Sequence, residues 1–131
     1  MIGLKRETDY AIQLLNFLAA KKKGFSSLKK FADISGISFW FLQKIARKLS
    51  LAGMITAGQG IKGGYKLKSA KNLNLLEVIK AMEGRVVFAP CLCEDAVDCA
   101  GKNRKCFTKA VSAKINKGMV KMLRGVNIYA A

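Results

Sequence analysis

Apolar residues recur three and four apart through much of this 131-residue chain. That spacing belongs to helices with one buried face. Tyr10, Leu14, Phe17 and Leu18, flanked by Ala11 and Leu15, predict a first helix starting at Tyr10. Thr8 or Asp9 is placed to cap it, and Lys21, Lys22, Lys23 and Gly24 to end it. Ser26 or Ser27 opens a second helix, Leu28 to about Ile34, and Ser35-Gly36-Ile37 makes a tight turn. Ser38 then caps a third helix, Phe39 to Ala52, which Gly53 ends. Phe41, Leu42, Ile45 and Leu49 lie on one side of it, and Lys44, Arg47 and Lys48 on the other. Two short helices joined by a glycine-containing turn are the helix-turn-helix pattern.

Period two replaces period three and four beyond that point. Met54 to Ala57 and Tyr65 to Leu67 read as two strands around a loop with four glycines, Gly58-Gln59-Gly60-Ile61-Lys62-Gly63-Gly64. The pair forms a β-hairpin, a wing placed just after the third helix. The loop also matches G-x-G-x-x-G, but a dinucleotide site needs that motif to open a helix within a βαβ unit. Here a short Tyr-Lys-Leu-Lys alternation follows instead. Asn74 caps a fourth helix, Leu75 to Met82, with Glu77 as its capping-box partner and Gly84 as its stop. Arg85 to Lys105 has no helical period and reads as loop. From Phe107 to Arg124, Phe107, Val111, Ile115, Met119 and Met122 draw one apolar stripe along a long helix. That stripe needs a partner surface, either its own domain or, favoured by the small size of the chain, a second copy.

The expected fold is mainly α with a small β-hairpin: a winged helix-turn-helix domain plus a long C-terminal dimerisation helix. It divides into residues 1–84, a cysteine-rich loop at 85–106, and the helix and tail at 107–131. A chain of this length buries roughly two-thirds of its unfolded surface, enough for a core without staples. The longest uncharged apolar run near the start, Tyr10 to Ala20, holds 11 residues and is too short to span a bilayer. The opening residues carry Lys5, Arg6, Glu7 and Asp9 with no long apolar run, so no signal peptide and a cytoplasmic location are expected.

Charge changes the picture. There are 24 Lys and Arg against 8 Asp and Glu, a formal +16. Between Tyr10 and Leu76 stand twelve Lys or Arg and a single acid, Asp33, a local +11. Such a surplus suits a polyanion. Membrane-surface binding would use a basic amphipathic helix without a competing fold, so duplex DNA is the expected partner and no membrane. Lys29, Lys30, Lys44, Arg47, Lys48, Lys62 and Lys66 would contact phosphates and give strong salt dependence. Ser38, Trp40, Gln43 and Lys44, at the start of the third helix, would reach base edges. Trp40 has two uses open to it, pressing on sugar or a thymine methyl, or packing on the first turn. Gln59, at the wing tip, would approach the minor groove.

There is no His, which removes imidazole from general acid–base chemistry and from metal ligation. All four cysteines, Cys91, Cys93, Cys99 and Cys106, fall within 16 residues as C-x-C-x5-C-x6-C. Clustered thiols in a cytosolic-looking chain point to zinc, to an iron–sulfur cluster, or to redox-active cysteines rather than to disulfides. An enzyme reading finds no nearby His and no pattern for a substrate pocket, so none is expected. Glu94, Asp95 and Asp98 keep the loop solvated.

The order ETDYAIQLLNFLA, SLKKFADISGISFWFLQKIARKLSLAGMI, GIKGGYKL, LNLLEVIKAMEG and a Cys loop leading into CFTKAV resembles the Rrf family of bacterial winged-helix regulators, of the IscR and NsrR kind. The likeness covers residues 1 to about 125. It implies a homodimer with crossed C-terminal helices that reads a palindromic promoter site. It also implies an iron–sulfur cluster, [2Fe-2S] or [4Fe-4S], that senses iron–sulfur status, nitric oxide or redox stress. The alternative is a zinc-stabilised or cluster-free regulator of the same fold. Cys93, Cys99 and Cys106 match the family's three cysteines, the last gap being one residue longer than in its best-known members. Cys91 is extra, a fourth ligand or a spare thiol. Where one branch has a completing His, this chain has Lys109, a poor ligand. Asp9 in TDYA matches the carboxylate that completes the site from the partner subunit in another branch, and it is equally a helix cap. The wing-tip Arg of some members is Gln59 here, so their promoter preference does not transfer.

Overall fold

A computed structural model describes residues 3–21, 24–60, 63–68, 73–93 and 106–129. Their order is α1 (Arg6–Ala20), α2 (Leu28–Ser35), α3 (Phe39–Leu51), β1 (Ile55–Gly58), β2 (Gly64–Leu67), α4 (Leu75–Glu83), a single 3₁₀ turn (Pro90–Leu92) and α5 (Phe107–Arg124). The two strands pair antiparallel, Ile55 opposite Leu67 and Gly58 opposite Gly64. The expected architecture, helices with one small hairpin, is the observed one. The hairpin turns back on itself and opens no helix, in keeping with the rejection of a dinucleotide loop.

Local chemistry places most boundaries. Gly36 takes a left-handed φ of 75° to end α2, and Gly53 at φ 76° turns the chain out of α3. At α4 the capping box is complete: Asn74 Oδ1 accepts from Glu77 N–H at 3.0 Å, and Glu77 Oε2 accepts from Asn74 N–H at 3.3 Å. Ser27 and Ser38 occupy the cap positions of α2 and α3 but make no side-chain cap bond. The start of α1 departs from expectation. The helix begins at Arg6, four residues before Tyr10, and neither Thr8 nor Asp9 caps it. Thr8 is fully buried within the first turn, and its hydroxyl donates to Glu83 Oε1 at 2.6 Å. A bond to the end of α4 has displaced the local cap.

The core is built from α1 to α4 and the hairpin. Leu14 and Leu15 of α1, Leu42, Ile45 and Leu49 of α3, Ile55 of β1 and Val78 of α4 are the large side chains closed to solvent. Helix α1 packs on α3, α4 and β2, so α3 and the hairpin share one support. The chain after α5 returns to this body. Leu75 N–H donates to Val126 O at 2.8 Å, Ile128 N–H donates to Leu73 O at 3.1 Å, and Ile128 is buried. Asn16 of α1 holds the Ile128 carbonyl at 3.2 Å. The root of α5 is therefore sewn to the start of α4.

The wing is fastened to α2 as well. Ser26 and Tyr65 exchange backbone bonds of 2.8 and 2.9 Å, which adds one bridge to the hairpin's edge. Gly64 makes this approach: its φ is +131°, and a Cβ there would stand 2.3 Å from Ser26 O. Gly64→Ala is therefore expected to lower folding stability by about 2 kcal/mol or more through strain and lost bridging bonds. Urea unfolding checks this; an unmoved midpoint would contradict it.

Candidate nucleic-acid interface and thiol ligands

Helix α3 buries Leu42, Ile45, Ala46 and Leu49 against α1 and its neighbours, which turns the opposite edge outward. Ser38, Phe39, Trp40, Gln43 and Arg47 are exposed on it. Trp40 is 78% exposed, its ring edge-on to that of Phe39 in the first turn of α3 with centroids 6.0 Å apart. That contact leaves most of the indole open to solvent. An indole left in water at the head of a helix has an apolar area that a sugar or a thymine methyl could cover. Trp40, Gln43 and Arg47 follow helical spacing and share one face. Lys29 and Lys30 are exposed on α2, and Gln59 is exposed at the end of the hairpin. Lys66 projects from β2 with its ammonium 5.0 Å from the Phe25 ring. Lys62 lies outside the described residues.

Two of the expected cations are engaged. Glu7, in the first turn of α1, takes Lys44 Nζ on Oε1 at 3.0 Å and Lys48 Nζ on Oε2 at 2.8 Å. Lys48 also donates to Met82 O at 3.3 Å, at the end of α4. The hydrogen bonds from Lys48 and then Lys44 hold the Glu7 carboxyl below the usual carboxylate range, against the opposing effect of partial burial. Sequence reasoning missed this clasp. Its only trace in the chain is that Glu7 is one of few acids in a basic half, with nothing to say which lysines it meets.

The described thiols lie on two segments that both touch α5. Cys91 lies in the 3₁₀ turn, Cys93 directly follows it, and Cys106 is the N-cap of α5; all three are free and partly exposed. The turn packs on α5, and Phe88 N–H donates to Asn116 Oδ1 of that helix at 2.8 Å. Cys106 Sγ accepts from Lys109 N–H at 3.4 Å. Its sulfur thus stands where unpaired N–H groups and the helix dipole favour negative charge. A thiolate ligand suits that place, and an all-thiol donor set suits iron–sulfur clusters and zinc alike. Cys99 lies outside the described residues. Among the described residues, no three Cys, Asp or Glu side chains converge as a metal site. Asp9 is exposed on α1, its carboxylate accepting from Gln13 Nε2 at 3.2 Å.

The outer face of α5 is apolar and open. Phe107 is 83% exposed and Met122 65%, with Val111 and Ile115 also in water, while Met119 is half-buried. Ser112 is the one buried residue of the helix. The chain's own body covers α5 through α4 and the 3₁₀ turn and leaves much of the predicted stripe uncovered. Among the described residues, no helix is long and apolar enough to cross a membrane.

Three kinds of comparison bear on this arrangement. The family model described as "Rrf2: Iron-dependent Transcriptional regulator" matches residues 4–130. The HTH-type transcriptional regulator NsrR of Shouchella clausii (strain KSM-K16) is 35% identical over 106 residues, covering 79% of this chain and 70% of that protein. Among solved structures, CymR, the global cysteine regulator of B. subtilis, superposes with a TM-score of 0.77 at 20% identity, covering 98% of this chain and 94% of the other. IscR of T. potens gives 0.73 at 22% identity, covering 97% and 83%. At such identities the two structures speak for the fold.

Proposed function

Because this chain belongs to the Rrf2 family of transcriptional regulators, we propose that it is a homodimeric, sequence-reading DNA-binding regulator governed by a cluster on its own thiols. The observation that carries the DNA reading is the open edge of α3, where Ser38, Trp40, Gln43 and Arg47 face solvent beside the hairpin on a chain of net +16. Helix α3 enters the major groove by that edge. Gln43 offers an amide that pairs with adenine, Arg47 a guanidinium for guanine or phosphate, and Trp40 an apolar face for a methyl or a sugar. Lys29 and Lys30 meet the backbone beside it, and Gln59 follows the wing toward the minor groove. Those contacts displace counterions and set affinity without reading sequence.

The stripe on α5 supports the dimer. Pairing two copies along it covers apolar surface and sets two reading heads at a fixed separation, which a palindromic site requires. Cys93, Cys99 and Cys106 would hold an iron–sulfur cluster, with Asp9 of the partner subunit or Cys91 as a further donor. Bound there, it would supply a group reactive toward nitric oxide and oxidants. The residues of this chain make that place consequential. The 3₁₀ turn and Cys106 are both attached to α5, and Asp9 lies in the first turn of α1, the helix that supports α3. Ligation there bears on the dimer helix and on the reading head at once.

The DNA part is tested with a random-sequence duplex of about two helical turns, titrated by fluorescence anisotropy across a salt series. Binding in the micromolar range at low salt is expected, with log K falling linearly in log salt. Arg47→Ala is expected to weaken binding several-fold. No binding at low salt would overturn the reading.

A further inference from the structure

One acid is placed against the reading helix of a strongly basic head. Glu7 reaches across from α1 to two ammonium groups one turn apart on α3, one on each carboxylate oxygen, at 3.0 and 2.8 Å. The clasp is partly shielded: the Glu7 side chain is 27% exposed and that of Lys48 35%, against 59% for Lys44. Its surroundings are tied down too. Thr8, the next residue, bonds Glu83 at 2.6 Å, and Lys48 has a second acceptor in Met82 O. Glu7 therefore meets α3 at two points of one flank, one turn apart.

Resting on the DNA-binding reading above, we infer that Glu7 is an affinity-setting residue: it keeps Lys44 and Lys48 off the phosphates. Lysine on phosphate adds affinity for every sequence alike. Withholding two such contacts lowers affinity for random and selected duplexes alike and reduces the salt dependence of both. The clasp gives Lys44 and Lys48 a role other than the base and phosphate contacts their positions suggest.

The test compares wild type, Glu7→Gln, Lys44→Met and the double variant Glu7→Gln/Lys44→Met. Each is titrated with a random duplex, and with one selected from a random library, across a salt series. Glu7→Gln is expected to bind the random duplex more tightly, with a log–log salt slope steeper by about one to two, near 0.9 per lysine released. It is expected to bind the selected duplex more tightly as well, with the preference between the two unchanged. Lys44→Met alone should leave the wild-type slope unchanged, and in the Glu7→Gln background it should remove about one unit. A change of fold alone would not move these slopes in that pattern. If wild type binds and Glu7→Gln has the same slope, or if Lys44→Met flattens the wild-type slope, the inference fails while the DNA reading stands. If wild type binds neither duplex, both fall.

Discussion

Ile115→Glu is expected to convert the protein to a monomer and to weaken binding to a twofold-symmetric duplex at least about a hundredfold, the loss that follows when two linked contacts become one. Ile115 lies midway along the stripe of Phe107, Val111 and Met122, all open to solvent on α5. Each side chain of this size contributes roughly 1.5–3 kcal/mol when fully buried, so a handful covered on two chains is enough to drive pairing. A carboxylate in the middle would be buried with no assigned partner, a far larger penalty than a lost methyl. Because Ile115 is exposed in the single chain, the variant should keep its helical content and its melting behaviour at low concentration. Sedimentation velocity reads the first effect and anisotropy the second. A dimer that survives the substitution would place the interface elsewhere.

Removing the thiols one at a time has the other large effect. Cys93→Ala, Cys99→Ala and Cys106→Ala are each expected to abolish visible absorbance, bound iron and acid-labile sulfide in anaerobically purified protein. Cys106 is the most telling, since its sulfur already takes the Lys109 N–H at the positive end of α5. Cys91→Ala and Asp9→Ala then divide the remaining ligand position between them: whichever leaves the spectrum intact is not the donor. A colourless protein carrying zinc in place of iron would support the zinc-stabilised alternative.

What could be read in the chain and what could not separates by distance along it. The Asn74–Glu77 capping box, the turn at Gly36 and the bounds of α5 are matters of three or four residues, and all three stand as expected. The antiparallel hairpin follows equally from period-two alternation around a glycine loop. Thr8 shows the limit. Its local reading, a cap, is sound chemistry, but Glu83, 75 residues away, offers a partly buried carboxylate partner. The Glu7 clasp spans 37 and 41 residues, so no spacing rule reaches it. It alters the site most, since it takes Lys44 and Lys48 from the list of free cations. The exposure of Trp40 is likewise a tertiary fact: an indole at a helix start is compatible with either of its two uses until the neighbouring packing is known. The thiols were legible as a group because four of them crowd one segment. Which of them come together was not, because chain spacing alone does not orient a loop.

In the proposed regulator, DNA reading by α3 depends on what the thiols near α5 hold. The direct measurement is the affinity of one duplex, selected from a random library, for cluster-loaded and cluster-free protein at the same ionic strength, by anisotropy under anaerobic conditions. A difference of about tenfold or more is predicted, within the usual range of coupling between two sites. Equal affinities would contradict it.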